Sequence, residues 1–340
     1  MHRLRNCLLT LVLSGISAGL HASAVTDAVA STGESDAAAR VRLLSASAEP
    51  DAWLLGAWMA RSWCHSDARD CDPVQAGLLF ERVLAQPPEN PTVLRVLIDQ
   101  LPQYLAGDPV RLAAERSRLL ARVQALDPES VSSWLPGLPD WADNKRRDEG
   151  AAVLARAARS TRAGADYRES YRWIAGHLAD LPLDPEWSDG ADTGIAPESA
   201  HRWVAIAMVH AIATPGYTQL TRWCREPGSP WAGDCRAIAR VLAGGETMID
   251  RMIGKAMLER LVSTADERAE ADRVAAATDW LRAAQLQCRV LDDAAALATM
   301  EQEGVSEIGL IEAGLQARGL PLEPPADAAL RKQLCAKPGA

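Results

Sequence analysis

Residues 73–90 read PVQAGLLFERVLAQPPEN, and this stretch decides how the chain is built. Ala76, Phe80, Val83 and Leu84 fall at offsets 0, 4, 7 and 8, which places them on one face of an α-helix. Asp70-Cys71-Asp72-Pro73 marks its start, and Pro88-Glu89-Asn90 ends it, since proline cannot continue a helix. Upstream, a helix from Asp51 with Pro50 in its first turn carries Leu54, Leu55, Trp58 and Met59 on one side and closes at Trp63-Cys64. Downstream, a helical run reaches Pro128-Glu129-Ser130 and then Trp134. The stretch from Trp63 to Trp134 therefore reads as a helical hairpin unit with a cysteine-closed loop at its head.

The series Ala76, Phe80, Val83, Leu84, Pro88, Asn90 resembles the second helix of a tetratricopeptide repeat, where small and aromatic positions interlock with the neighbouring helix. Leu94 and Leu97 fall where that family places the next first-helix contacts. Forty residues on, Leu120, Val123, Pro128 and Ser130 repeat part of the pattern, and Trp134 takes the place of the first-helix tryptophan. The family period is about 34 residues. The longer spacing and the inserted cysteine loop make this a divergent resemblance, confined to roughly residues 50–135. It implies stacked antiparallel helical hairpins.

The remainder shows helical period almost throughout. Residues 25–33 form a small, polar leader. Helices are expected around 147–159, with Val153, Leu154 and Ala157 inward, over 165–181, and from Pro197 to Ala213. Further helices fall around 265–287, 292–301, 306–318 and 326–334. Met248, Ile249, Met252, Ile253, Ala256 and Met257 form a stripe read as core. The Pro-, Gly- and Asp-rich stretch 182–196 is the best internal boundary, dividing an N-terminal region, 25–182, from a C-terminal one, 197–340, packed continuously with it. No period-two run stands out, so the expected architecture is all-α: an α-solenoid-like stack with disulfide-tied C-terminal helices.

Residues 1–24 have a basic start (His2, Arg3, Arg5), an apolar run from Cys7 to Leu20 and a small-residue Ala22-Ser23-Ala24 site. These features in that order describe a secretory signal peptide cleaved after Ala24, so the chain is expected in the periplasm or outside the cell. Cleavage removes two arginines and no acid, taking the net charge from −9 to −11. That charge speaks against nucleic acid and anionic membrane surfaces as partners; its ordinary use is solubility, and a basic partner is the narrower reading. No later segment is long and apolar enough to span a bilayer.

Six cysteines then remain: Cys64, Cys71, Cys224, Cys235, Cys288 and Cys335. An even number in an exported chain implies disulfides, and spacing favours the near neighbours Cys64–Cys71, Cys224–Cys235 and Cys288–Cys335. The third closes the longest loop and is worth most, about 4 kcal/mol against about 2–3 for the short clips. A four-cysteine zinc site wants closer pairs. Trp223-Cys224 echoes Trp63-Cys64 and suggests an old duplication of the clipped hairpin.

Motifs for chemistry are sparse. Gly15-Ile16-Ser17-Ala18-Gly19 matches the hydrolase nucleophile pattern but lies inside the expected signal peptide, with no strand before it. His65, His177, His201 and His210 do not form a ligand set; the last two sit nine apart, on opposite sides of a helix. The run 184–192 has acidic residues for calcium, but its glycine comes one place late and no glutamate stands at the twelfth position. Glu129, Glu169 and Glu198, each followed by serine, are the candidates for a buried acid of a peptidoglycan-cutting enzyme, but the Gly-rich, Gln-bearing signature that such enzymes carry does not accompany them. Tyr104, Trp141 and Trp187 lie near helix breaks and are the candidate binding-face aromatics.

With 11 Trp and a single Phe, tryptophan must supply most of the large core volume. No catalytic, metal or cofactor residue is identified. The expected function is an exported scaffold that holds a protein or peptide, with an inhibitor of a basic protein as a narrower form and a cell-envelope hydrolase using buried carboxylates as the alternative. Peptide mapping of the unreduced mature protein is expected to recover three local cystine pairs; free thiols or crossed pairing would overturn the scheme.

Overall fold

The computed structural model describes residues 36–63, 72–164, 166–179, 181, 200–211, 216–288, 290 and 305–326. These residues are all-helical. In chain order the helices are α1 Asp36–Ala46, α2 Pro50–Trp63, α3 Pro73–Ala85, α4 Pro91–Tyr104, α5 Pro109–Leu126, α6 Val131–Trp134 and α7 Arg147–Ala157. They continue as α8 Tyr167–Leu178, α9 Ala200–Ala211, α10 Tyr217–Trp223, α11 Ala232–Ala243, α12 Met248–Leu261, α13 Ala265–Leu286 and α14 Glu307–Ala317. One isolated bridge, between Ser130 and Arg162, is the only β-type pairing among the described residues. No described helix is long and apolar enough to cross a membrane.

The chain forms two compact units that interleave along the sequence. One takes residues 1–112 and 169–213, the other 113–168 and 214–340. The expected boundary at 182–196 lies outside the described residues.

In the first unit α2 is flanked by α1 and α3. Gly56 makes that possible, because a Cβ there would already stand 3.2 Å from Leu44 and 3.3 Å from Leu79. With neighbours on two sides, α2 buries Ala52, Trp53, Leu54, Leu55, Ala57, Met59 and Ala60. The single stripe expected for it is therefore too narrow: Trp53 is inside and Trp58 is half-buried. Asp72 caps α3 by accepting from Gln75 N at 2.9 Å, and Asn90 caps α4 by accepting from Thr92 N at 2.9 Å, each with proline next in line. Ala76, Phe80, Val83 and Leu84 are buried as their spacing predicts, and so are Leu94 and Leu97.

The second period departs from expectation. Val123 is buried, but after Ser130 comes only the four-residue α6 and a 3-10 turn, where Pro136 and Gly137 interrupt the chain. The Ser130 side chain caps nothing. Its hydroxyl pairs with that of Ser132 at 2.8 Å, while Val131 N and Ser132 N donate to Arg162 O and Ala163 O.

The second unit is built on α11, α12 and α13, packed in that order, with α7 against α11 and α14 against α13. The buried face of α12 is Met248, Asp250, Gly254, Met257, Leu258 and Leu261. This corrects the methionine stripe: Ala256 and Ile249 are exposed, Met252 and Ile253 are half-buried, and the true stripe contains an acid and a glycine. Gly254 is where α12 meets α11, since a Cβ there would lie 2.4 Å from Ala243 N and 2.7 Å from Ala239 O. Cys224, just after α10, is bonded to Cys235 in α11 (Cα–Cα 5.5 Å), and Cys288 is also disulfide-bonded, with its partner outside the described residues. Helix α13 opens on a full capping box, Thr264 with Glu267.

Gly254→Ala tests the α11–α12 contact by sign. Helix propensity alone favours alanine by about 1 kcal/mol. The variant is expected instead to lose about 1–3 kcal/mol in urea unfolding, because backbone atoms cannot give way to the added methyl. A gain in stability would show that the two helices are not in this contact.

Candidate functional site

The turn between α11 and α12, Gly244-Gly245-Glu246-Thr247, forms one wall of an open cleft of about 430 Å³ in the second unit. Arg168 and Arg251 line it, together with Val305, Ser306, Ile308, Gly309 and Glu312 from the start of α14. Backbone bonds set the walls. Ile308 N donates to Glu246 O at 3.1 Å, and Ser306 Oγ caps α14 by accepting from Gly309 N at 3.0 Å. Arg168 Nη2 pairs with Glu246 Oε1 at 2.9 Å, and Arg251 Nε donates to Gly245 O at 2.9 Å.

Behind the turn lies Asp250, wholly buried. Gly245 has to be a glycine there, because a Cβ would stand 2.5 Å from Asp250 Cβ and 3.0 Å from Oδ2. The Tyr217 hydroxyl donates to Oδ1, Thr247 Oγ1 accepts from Asp250 N at 3.2 Å, and Oδ2 has no partner among the described residues. A second buried acid, Glu307, accepts from Met248 N at 2.9 Å and from Gln285 Nε2 at 3.3 Å. Both carboxyls sit at the N-terminal end of α12, where the helix dipole favours negative charge. Burial nevertheless wins at Asp250 and pushes its carboxyl up to about 6, against the Tyr217 and Thr247 hydrogen bonds and with help from the nearby charges of Glu307 and Glu246.

Sequence reasoning missed this site. Its local signal is a capping pattern, Thr247-x-x-Asp250, just after a double glycine. What closes it off comes from afar, from Tyr217 and Glu307.

The expected site residues fall as follows. Tyr104 is half-buried: its ring stacks on Phe80 (centroids 3.9 Å, 6° between planes) and its hydroxyl donates to Ala57 O at 2.8 Å. Burial raises its pKa despite the nearby Arg61. Trp141 is also half-buried, edge-on to Trp223 and Trp231 and under the Arg147 guanidinium at 4.3 Å. Both rings are thus engaged in packing. Trp187, Cys64, Cys71 and Cys335 lie outside the described residues, as do His65, Glu198 and the 184–192 run.

Glu169 is paired with Arg172 at 2.6 Å and its side chain is 38% exposed. Glu129 is exposed, and its backbone carbonyl accepts from Thr161 N and Arg162 N. His177 lies 3.8 Å from Glu49, and His201 Nε2 lies 2.8 Å from Leu181 O. Among the described residues no group of three or more His, Cys, Asp or Glu side chains is placed to hold a metal ion.

Comparison with protein-family models, with curated proteins and with solved structures gave no match to this chain. The chemistry of the site therefore rests on its own residues.

The Asp250 carboxyl makes stability depend on pH. Its folded-state value lies above the ordinary 3.8, so its contribution is full below that value and is lost as the pH rises through about 6. Between pH 5 and pH 7.5 the protein is expected to lose about 1 kcal/mol through this group. Asp250→Asn is expected to remove that part of the slope and to be the more stable form at pH 7.5, read by urea midpoints at the two pH values. An unchanged slope would show that Asp250 does not titrate there.

Proposed function

We propose that this chain is an exported helical binding protein that holds a protein or peptide partner on a surface of tetratricopeptide-like hairpins. The observation that carries the reading is the outer face of α3. Val74 is 70% exposed and Leu78 is 60% exposed, one helical turn apart, with open space beside Gly77. The opposite face of the same helix is packed without fault, so this pair is not a failure of amphipathic design. Burying a branched side chain of this size is worth about 1.5–3 kcal/mol, which a partner covering both would gain. Two such anchors at i and i+4 suit the edge of a docking face.

The charge of −11 after cleavage behind Ala24 favours a basic partner, which makes an inhibitor-like role in the periplasm or outside the cell the narrower form of the proposal. A hydrolase with a buried acid is the second reading. Asp250 alone favours it, and that carboxyl has no exposure through which a substrate could reach it.

A photo-crosslinking residue at position 78, in protein made by cells that export it, is expected to give one adduct of defined mass. The same residue at Gln86, exposed beyond the end of α3, is expected to give none, and Val74→Asp is expected to weaken the adduct at 78 by about tenfold. Equal labelling from both positions, or no adduct from 78, would sink the proposal.

A further inference from the structure

We infer that the cleft between the Gly244–Thr247 turn and the start of α14 binds a small zwitterion, a ligand with one carboxylate and one ammonium, as in a free amino acid or a short peptide. The reason is a pair of opposite charges that face the same space without closing on each other. Arg251 is half-buried and spends its Nε–H on Gly245 O at 2.9 Å. Its terminal amino groups make no hydrogen bond or ion pair among the described residues. Glu312 is likewise half-buried, lines the same cleft and makes no ion pair among the described residues. It lies close enough to favour the Arg251 cation, while burial works against that cation. The Nε anchor holds the guanidinium where it is, so the two charges do not collapse into a direct pair.

Desolvated charges of this kind gain most from a partner that completes them. The free edge of Arg251 offers two parallel N–H groups, the geometry a carboxylate accepts. Arg168 adds a second cation on the same wall. Its Nη2 is engaged by Glu246 at 2.9 Å, but its Nε is buried and has no partner among the described residues. Glu312 supplies the acceptor for an ammonium.

The balance of charge selects the ligand. A simple anion would meet Glu246 and Glu312, and a simple cation would meet Arg168 and Arg251. Only a ligand carrying both signs matches the cleft, and the side-chain-free positions Gly244 and Gly309 leave room for it. The cleft belongs to the second compact unit and Val74 and Leu78 to the first, so this inference stands or falls independently of the α3 face.

The test is calorimetric titration of the full mature chain with glycine, glycylglycine, acetate and methylammonium. Saturable binding of glycine or glycylglycine is expected, with acetate and methylammonium each at least about tenfold weaker; which zwitterion binds tighter tells a free amino acid from a peptide. Glu312→Gln breaks no hydrogen bond among the described residues and is expected to keep its helical circular dichroism while losing about tenfold in affinity. Arg251→Gln is expected to lose as much, and Arg111→Gln, paired with Glu81 elsewhere, is expected to change nothing. The inference is overturned if neither zwitterion saturates up to tens of millimolar, if acetate binds as well as glycine, or if Glu312→Gln leaves affinity unchanged.

Discussion

The second unit depends on one contact between two backbones. At Gly254 helix α12 lies directly on α11, with Ala239 O and the Ala243 amide where a side chain would otherwise be. Only glycine permits that approach, and its cost in helix propensity, about 1 kcal/mol, is offset by the close packing it allows. With the helices this close, the turn joining them must be tight. Gly245 lies against Asp250, and Arg251 reaches back to the Gly245 carbonyl. The cleft is therefore a consequence of the helix crossing. Its floor is a turn with little freedom, and its charged groups are fixed by backbone bonds.

Leucine fills most of the described core, and the buried indoles of Trp53, Trp173, Trp223 and Trp280 add its largest side chains, so the expectation that tryptophan supplies most of the large core volume does not hold. A buried indole brings a polar N–H that must be satisfied, and here loop carbonyls do so repeatedly. Trp53 donates to Ser47 O, Trp223 to Pro139 O and Trp280 to Pro321 O. Each bond ties a helix to a segment outside it, so the indoles fix loops as well as fill volume. At Trp223 the packing is tight enough that Gly150 has no room for a methyl, which would stand 2.2 Å from the ring. The Cys224–Cys235 bridge and the edge-on trio Trp141, Trp223 and Trp231 lie at the same place. Trp141 is drawn into this packing for the same reason, because it closes the trio.

Much of the fold was legible in order along the chain. Asp72-Pro73 marks a helix start because a capping side chain followed by proline has few other uses, and Asp72 caps α3; Asn90, read from the sequence only as the end of that helix, also caps α4. Ala76, Phe80, Val83 and Leu84 define the buried face of α3 because a helix with one covered side obeys a single stripe. The same logic failed on α2, which is covered on two sides, so that Trp53 rather than Trp58 went inside. It failed again on α12, where counting apolar residues selected Ile249 and Ala256 over Asp250 and Gly254. After Ser130 the local pattern promised a longer helix than four residues. Pro136 and Gly137 ended it, and the first-turn amides of Val131 and Ser132, which have no acceptor within a helix of any length, found acceptors in residues 162 and 163, more than thirty positions away.

The sequence by itself determined the helical class, the main helix ends and the Cys224–Cys235 pairing. Each follows from short-range rules: periodicity, capping, proline and loop closure. The tertiary structure alone decided that Asp250 is buried, that Gly245 and Gly254 have no alternative, and that Arg251 and Glu312 share a cleft without pairing. Those facts depend on atoms brought together from Arg168, Tyr217, the 244–251 segment and α14, which no local pattern relates. Burial and electrostatic environment belong to the assembled chain, because they are set by whatever the fold happens to place around a group.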